Sequence, residues 1–181
     1  NYADMEQTAQ QRGDRSMELA ALTANTTIHV APTSLRNAEL GQALATRSLT
    51  LARELNDRAA QAKIFWNLVL LHRHLGSIEL ALEYGEQSIA IARELNLREQ
   101  LAFSLNDTLP SYWLTGQSEK ALAALHEAGD IFRAENNLPM LADNLSTQAM
   151  FDFMSGEYDA ALAVSDEAYQ LSESIGNLWN Q

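Results

Sequence analysis

The amino-acid sequence predicts an all-α fold, an α–α superhelix of about four antiparallel helix pairs stacked as a solenoid. Three observations predict it. Gly76, Gly116 and Gly156 stand forty residues apart, and each is followed five and six residues on by Ala-Leu: Ala81-Leu82, Ala121-Leu122 and Ala161-Leu162. The same period carries apolar positions, Leu51, Ile91, Ile131 and Leu171 in one series and Phe65, Leu105 and Leu145 in another. Strand signals are missing, with no clean alternation and no hairpin dipeptide between β-branched runs. A single helix pair cannot bury its apolar stripe alone, so stacked neighbours must close a continuous core, giving a right-handed or gently curved solenoid.

Taken in order, Asn1 to Arg12 reads as the tail of a preceding helix. The first repeat, 14–56, is irregular. Its end, Leu51 to Asn56, aligns with Ile91 to Asn96 at an offset of forty, but Asp14-Arg15 aligns with Asp57-Arg58 at forty-three. The extra residues fall near Pro32-Thr33-Ser34, a loop between the paired helices. Repeats 57–96, 97–136 and 137–176 follow. In the second helix of repeat 57–96, Ile78, Ala81, Leu82, Ile89, Ala92 and Leu95 keep helical spacing, with Glu79, Glu83, Glu86 and Arg93 off the stripe. The marker glycines fit left-handed helix ends, where any other residue bears a Cβ penalty. Ser77 and Ser118 are expected as N-caps of the helices that follow. Second helices are expected to end at Asn56, Asn96, Asn136-Asn137 and Gly176-Asn177. Pro110, inside a first helix, is expected to kink it at a cost of about 3 kcal/mol, with Asp107 or Thr108 capping a restarted helix. Leu178-Trp179-Asn180-Gln181 reads as the start of another helix. With no initiator Met, the chain is expected to be a single array, 1–181, from a longer protein.

Composition narrows the function classes. The 181 residues are 46% hydrophobic and contain no cysteine, which excludes a disulfide scaffold, a thiolate metal site and a cysteine nucleophile. Apolar stretches run only a few residues, too short for a membrane span. The polar first residues do not form a signal peptide, and a cytoplasmic location is expected. The net charge is −12, so direct nucleic-acid binding is not expected. Residues 1–98 carry ten basic and eleven acidic residues, whereas 99–181 carry two and thirteen. That acidic half is either a solvated surface or a face for a basic partner; an association rate independent of salt would exclude the second. The four histidines, His29, His72, His74 and His126, form no metal-binding pattern, and no phosphate loop or nucleophile elbow is present. No enzyme activity, metal or cofactor is expected.

A glycine closing the first helix with an alanine five residues later resembles the tetratricopeptide repeat, at Gly76/Ala81, Gly116/Ala121 and Gly156/Ala161. Ile78 and Tyr158 match the family's large residue two after the glycine, and Ser118 does not. Ser88, Ala128 and Ala168 match its small residue in the second helix. The usual thirty-four-residue period and helix-ending proline are replaced by forty residues and Ala-Arg-Glu-Leu-Asn endings. This looks like the long variety of bacterial signal-transduction ATPases and transcriptional regulators of the maltose-activator type. Similar long repeats occur in animal polarity adaptors and peptide-sensing bacterial regulators.

The resemblance implies that first helices line a concave binding face. Its groove positions would be Lys63, Trp66, Asn67, Leu70, Arg73 and His74 in the second repeat. The third offers Phe103, Asn106, Asp107, Pro110, Trp113 and Leu114, and the fourth Asp143, Ser146, Thr147, Met150, Phe153 and Met154. Lys63, Asn67, Arg73 and Asn106 resemble the family's carboxylate clamp; Phe103, Asp107, Asp143 and Met150 depart from it. The groove therefore reads as aromatic and Met-rich, suited to an apolar helix or extended peptide. Trp66 and Trp113 are open between groove and core, while Phe65 and Leu105 are read as core. The resulting expectation is a protein- or peptide-binding scaffold, the sensor or docking part of a larger regulator. The alternative is a standalone adaptor or a scaffold self-associating through its ends.

Overall fold

A computed structural model of the chain describes residues 1–176. The helix expected from Leu178 lies outside the described residues, as does Asn177. Among the described residues the elements are all helical: α1 (Tyr2–Arg12), α2 (Arg15–Val30), α3 (Ala38–Glu54), α4 (Arg58–His74), α5 (Ile78–Glu94), α6 (Arg98–Leu114), α7 (Ser118–Ala134), α8 (Leu138–Met154) and α9 (Tyr158–Ser174). They stack as a tetratricopeptide-like solenoid, with α2/α3, α4/α5, α6/α7 and α8/α9 as antiparallel pairs.

The turns explain the period. Gly76, Gly116 and Gly156 have φ of 74°, 77° and 84°, and Asn56, Asn96 and Asn136 have φ of 53°, 53° and 54°. Left-handed backbone at these turns, within and between the repeats after the first helix pair, reverses the chain within a few residues. Beyond Gly76, the Ser77 amide reaches back to the His72 carbonyl at 2.9 Å, satisfying a helix end that would otherwise lose its partners. Helix starts are capped by side chains at Asp14, Asn37, Asp57 and Asn137. The serines expected to cap do not. Ser77 occupies the cap position without a side-chain bond, and Ser118 lies one residue inside α7, behind Gln117. The two-residue turns bond mainly through the backbone: the Gln117 amide donates to the Tyr112 carbonyl at 2.8 Å, and its carbonyl accepts from Ala121.

The apolar stripes close into two clusters. One gathers Leu19, Leu22, Phe65, Leu68 and Leu71 from the first repeats, the other Leu105, Leu109, Leu125, Phe132 and Phe151 from the later ones. First helices also pack on one another, α2 on α4 and α4 on α6, while α3, α5 and α7 make no comparable mutual contact. The first helices therefore run on the inner, tighter radius. The loop at 31–37 between α2 and α3 interrupts this regularity.

α6 runs unbroken from Arg98 to Leu114 through Pro110. The restarted helix expected at Asp107 or Thr108 is absent. The Asp107 side chain turns across to α4 instead of capping its own helix, and the Thr108 hydroxyl is buried without a partner.

Candidate functional site

On the inner face a cavity of about 530 Å³ opens between the first helices, within the range of sites that enclose small ligands. Trp66, Leu70, Arg73 and His74 from α4, Phe103 and Asp107 from α6, and Met140 and Asp143 from α8 line it. The α2 end and the 31–37 loop close one side with Val30, Ala31, Pro32 and Arg36.

The aromatic floor is held rigidly. The Trp66 and Phe103 rings lie 5.6 Å apart, and Phe103 in turn sits 5.7 Å from Phe132, edge-on. The Trp66 indole N–H donates to Asp107 Oδ2 at 2.7 Å. Arg73 Nη1 donates to the Asp107 backbone carbonyl at 3.1 Å and reaches Oδ1 at 3.4 Å. Pro110, one turn on, has no N–H for the Asn106 carbonyl; Arg73 bonds the next carbonyl, that of Asp107, from outside the helix. The Asp107 side chain keeps 20% exposure. Burial pushes its carboxyl above the ordinary value; Arg73 and the Trp66 bond pull down, and Asp143 adds to the rise.

At the loop end, Arg36 donates through Nε to the Ala31 carbonyl at 3.1 Å and through Nη1 to His74 Nδ1 at 2.7 Å. Arginine has no lone pair to offer, so His74 Nδ1 accepts and its N–H sits at Nε2. At the far end, Asp143 accepts from Asn106 Nδ2 at 3.4 Å.

Seven of the residues read as groove positions therefore meet in one cavity: Trp66, Leu70, Arg73, His74, Phe103, Asp107 and Asp143. The others lie elsewhere. Asn67 is fully buried and pins α4 to α2, donating to the Thr23 carbonyl at 3.4 Å and accepting from the Thr27 hydroxyl at 3.1 Å. Asn106 accepts from Asn144 Nδ2 at 3.1 Å beside the cavity. Lys63 is exposed outside the lining. Trp113 packs edge-on against Phe151, with centroids 4.5 Å apart. Met150 and Phe153 are 53% and 63% exposed on the last turns of α8. Arg36 and Met140 were not read as groove residues, and Pro32 was read only as loop. The insertion near Pro32 shows a loop but not the direction it folds, and Met140 in α8 had no signal at all.

No family model and no curated protein sequence matches the chain. Solved structures do. Aspartyl phosphate phosphatase F from Bacillus subtilis superposes with a TM-score of 0.84 at 13% identity, over 99% of this chain and 46% of that one. BtubC (BKLC) from P. vanneervenii gives 0.73 at 16% identity, over 96% and 71%. A Rap protein complexed with competence and sporulation factor gives 0.71 at 11% identity, over 95% and 53%. At these identities the likeness establishes the helical-repeat fold. The chain spans about half the length of the first of these structures. No described helix is long and apolar enough to cross a membrane.

Proposed function

We propose that this array is a peptide- or protein-binding scaffold, the sensing or docking part of a larger bacterial regulator, with the inner-face cavity as its binding site. The observation that carries this reading is the Trp66–Asp107–Arg73 constellation. A half-buried aromatic floor and a carboxylate are fixed in place across two repeats before any partner arrives, so little ordering cost remains on binding. The array is structurally similar to a Rap protein crystallised in complex with competence and sporulation factor, which supports a binding role for this architecture. Binding would bias the packing of neighbouring repeats and so reach an attached output domain. Signal transduction and transcriptional control are the contexts in which this long-repeat architecture would serve.

The test is a Leu70→Glu variant. Leu70 lines the cavity and is only partly buried, so the change puts a charge in the groove without opening the core. Peptides selected against the native chain should lose at least about tenfold in affinity for a variant with an unchanged helical signal. Equal binding to both chains would remove the cavity from the account.

A second reading, self-association or an adaptor role, rests on the exposed apolar row Met150, Phe153, Met154, Tyr158 and Leu162. Light scattering separates it: a mass that rises with concentration supports it, and a constant monomer mass opposes it.

A further inference from the structure

The outer face of the array repeats a charged contact between successive helix pairs. On α5, Leu82, Glu86, Ile89 and Arg93 follow at intervals of four, three and four residues, so they share one helix face. That face looks onto α7 across a cavity of about 430 Å³. Glu86 meets Lys120 Nζ at 3.2 Å, and Arg93 meets Glu127. Leu82 packs on the cluster of the later repeats, and Ile89 keeps only 5% exposure. Lys120 and Glu127, seven residues apart on α7, are thus the charged complement that the α5 face receives from the next pair. Eighty residues on, the same face of α9 is Leu162, Asp166, Tyr169 and Glu173. Leu162 and Tyr169 are 67% and 47% exposed. Among the described residues Asp166 and Glu173 have no ion-pair partner, whereas Glu167 pairs back to Arg133 of α7 at 3.2 Å. The position that is arginine at 53, 93 and 133 has become Glu173. α9 therefore presents two acids two turns apart, where α5 presents one acid and one base.

We infer that this face of α9 binds a helix of another protein, one carrying Lys or Arg at two positions seven residues apart with apolar residues between them. The inference goes beyond the cavity reading, since it concerns a different helix and the outer layer. Seven residues rise about 10 Å along any α-helix, so cations at that spacing stand level with Asp166 and Glu173. Residues three and four after the first cation fall between them. On α7 the corresponding places are Ala123 and Ala124, which line the cleft facing Ile89. On the partner, larger apolar side chains there would cover Tyr169 and Leu162, which no described helix covers. Long-range attraction adds to the contact: after Arg133 the sequence holds eight acidic residues and no Lys or Arg. A second copy of the chain fits poorly. It brings another net charge of −12, and no two of its lysines and arginines stand seven residues apart.

The probes are two synthetic helices of about 18 residues, rich in alanine and glutamine and identical in composition, with two lysines and two leucines each. In one, the lysines stand seven apart and the leucines three and four residues after the first. In the other, the lysines stand five apart, on different sides of the helix. Each is titrated at low salt into the 181-residue chain, followed by nitrogen-15 amide shifts. The expected result is saturable binding of the seven-spaced helix, about fivefold or more tighter than the five-spaced one, with the shifts on α9. Asp166→Asn combined with Glu173→Gln should bring the two probes to equal affinity. Both residues are exposed, so the helical signal should stay unchanged. Leu70→Glu, in the inner cavity, should alter neither titration. Equal binding of both probes by the native chain, or binding of neither, overturns the proposal and leaves the cavity reading standing. Shifts at Trp66 in place of α9 would put the helix in the cavity and overturn it as well. A chain that is dimeric when native and monomeric with the double substitution would make a second copy the occupant and refute the assignment to another protein.

Discussion

Helices α4 and α9 are both seventeen residues long, yet they are buried very differently. α4 buries Gln61, Ala62, Ile64, Phe65, Asn67, Leu68, Val69 and Leu71; α9 buries Ala161, Ala168 and Ser172. The difference is one of neighbours. α4 touches α2, α3, α5 and α6, whereas α9 packs on α8. In a stacked array, burial is conferred by adjacent repeats: Leu51, Ile91 and Ile131 are buried, whereas Leu171, at the same repeat position in α9, is only partly so. The candidate site follows the same logic, since it forms where α4 has first helices on both sides.

The largest effect expected from this contrast is in the cores. Leu71 in α4 is fully buried and Leu162 in α9 is 67% exposed. Leu71→Ala should cost about 2–5 kcal/mol by lost transfer energy and cavity formation. Leu162→Ala should stay within about 0.5 kcal/mol of the native chain. Urea unfolding followed by circular dichroism measures both, and equal losses would show that α9 is as well packed as α4.

A sharper probe lies at the junction of the second and third repeats. A Cβ on Gly85 would overlap the Thr108 side chain, whose buried hydroxyl already lacks a partner. Gly85→Ala should therefore destabilise by about 1–2 kcal/mol despite its better helix propensity. Adding Thr108→Ala makes room and removes the unpaired hydroxyl, so the double variant should melt above Gly85→Ala alone. A double variant that melts lower would disprove the steric account.

Asp107 offers a pH-dependent test. Its carboxyl is raised in the folded chain, chiefly by burial, so the folded state holds the proton more tightly than the unfolded one. Its contribution is complete below the ordinary carboxylate value and is lost as pH rises through the raised folded value. Native stability minus that of Asp107→Asn should fall across that rise. His72, whose burial lowers its value, is common to both chains and drops out of the difference. A flat difference, or one that grows with pH, would mean that the Arg73 pairing outweighs burial.

The smallest effect is at the surface. Arg58 and Glu94 pair at 2.8 Å with side chains 47% and 59% exposed. Arg58→Ala should cost less than about 1 kcal/mol, and less still in high salt.

The fold was legible because left-handed turns restrict residue choice so strongly. Glycine at 76, 116 and 156 and asparagine at 56, 96 and 136 mark helix ends that few other residues tolerate. Helix starts were less legible, since the backbone carries the turn at Gln117 and no side chain is required there. Groove spacing brought Trp66, Phe103 and Asp107 to one face because first helices share a period. It could not separate Asn67 from them, because a polar residue at a groove-like position can equally bond a buried neighbour, here Thr23 and Thr27. Nor could it find Arg36, since an insertion breaks the register that spacing relies on. Met150 and Phe153 keep the helical period, but α8 carries them beyond the walls that enclose the cavity.

The most direct test of the central claim uses the indole N–H of Trp66, held by Asp107 on the cavity floor, as a reporter. Nitrogen-15 spectra resolve it from Trp113, which packs on Phe151. On titration with a peptide selected against the native chain, the Trp66 indole signal should shift in step with binding while the Trp113 signal stays in place. Saturable binding that leaves the Trp66 indole unmoved would place the partner on another surface and contradict the account.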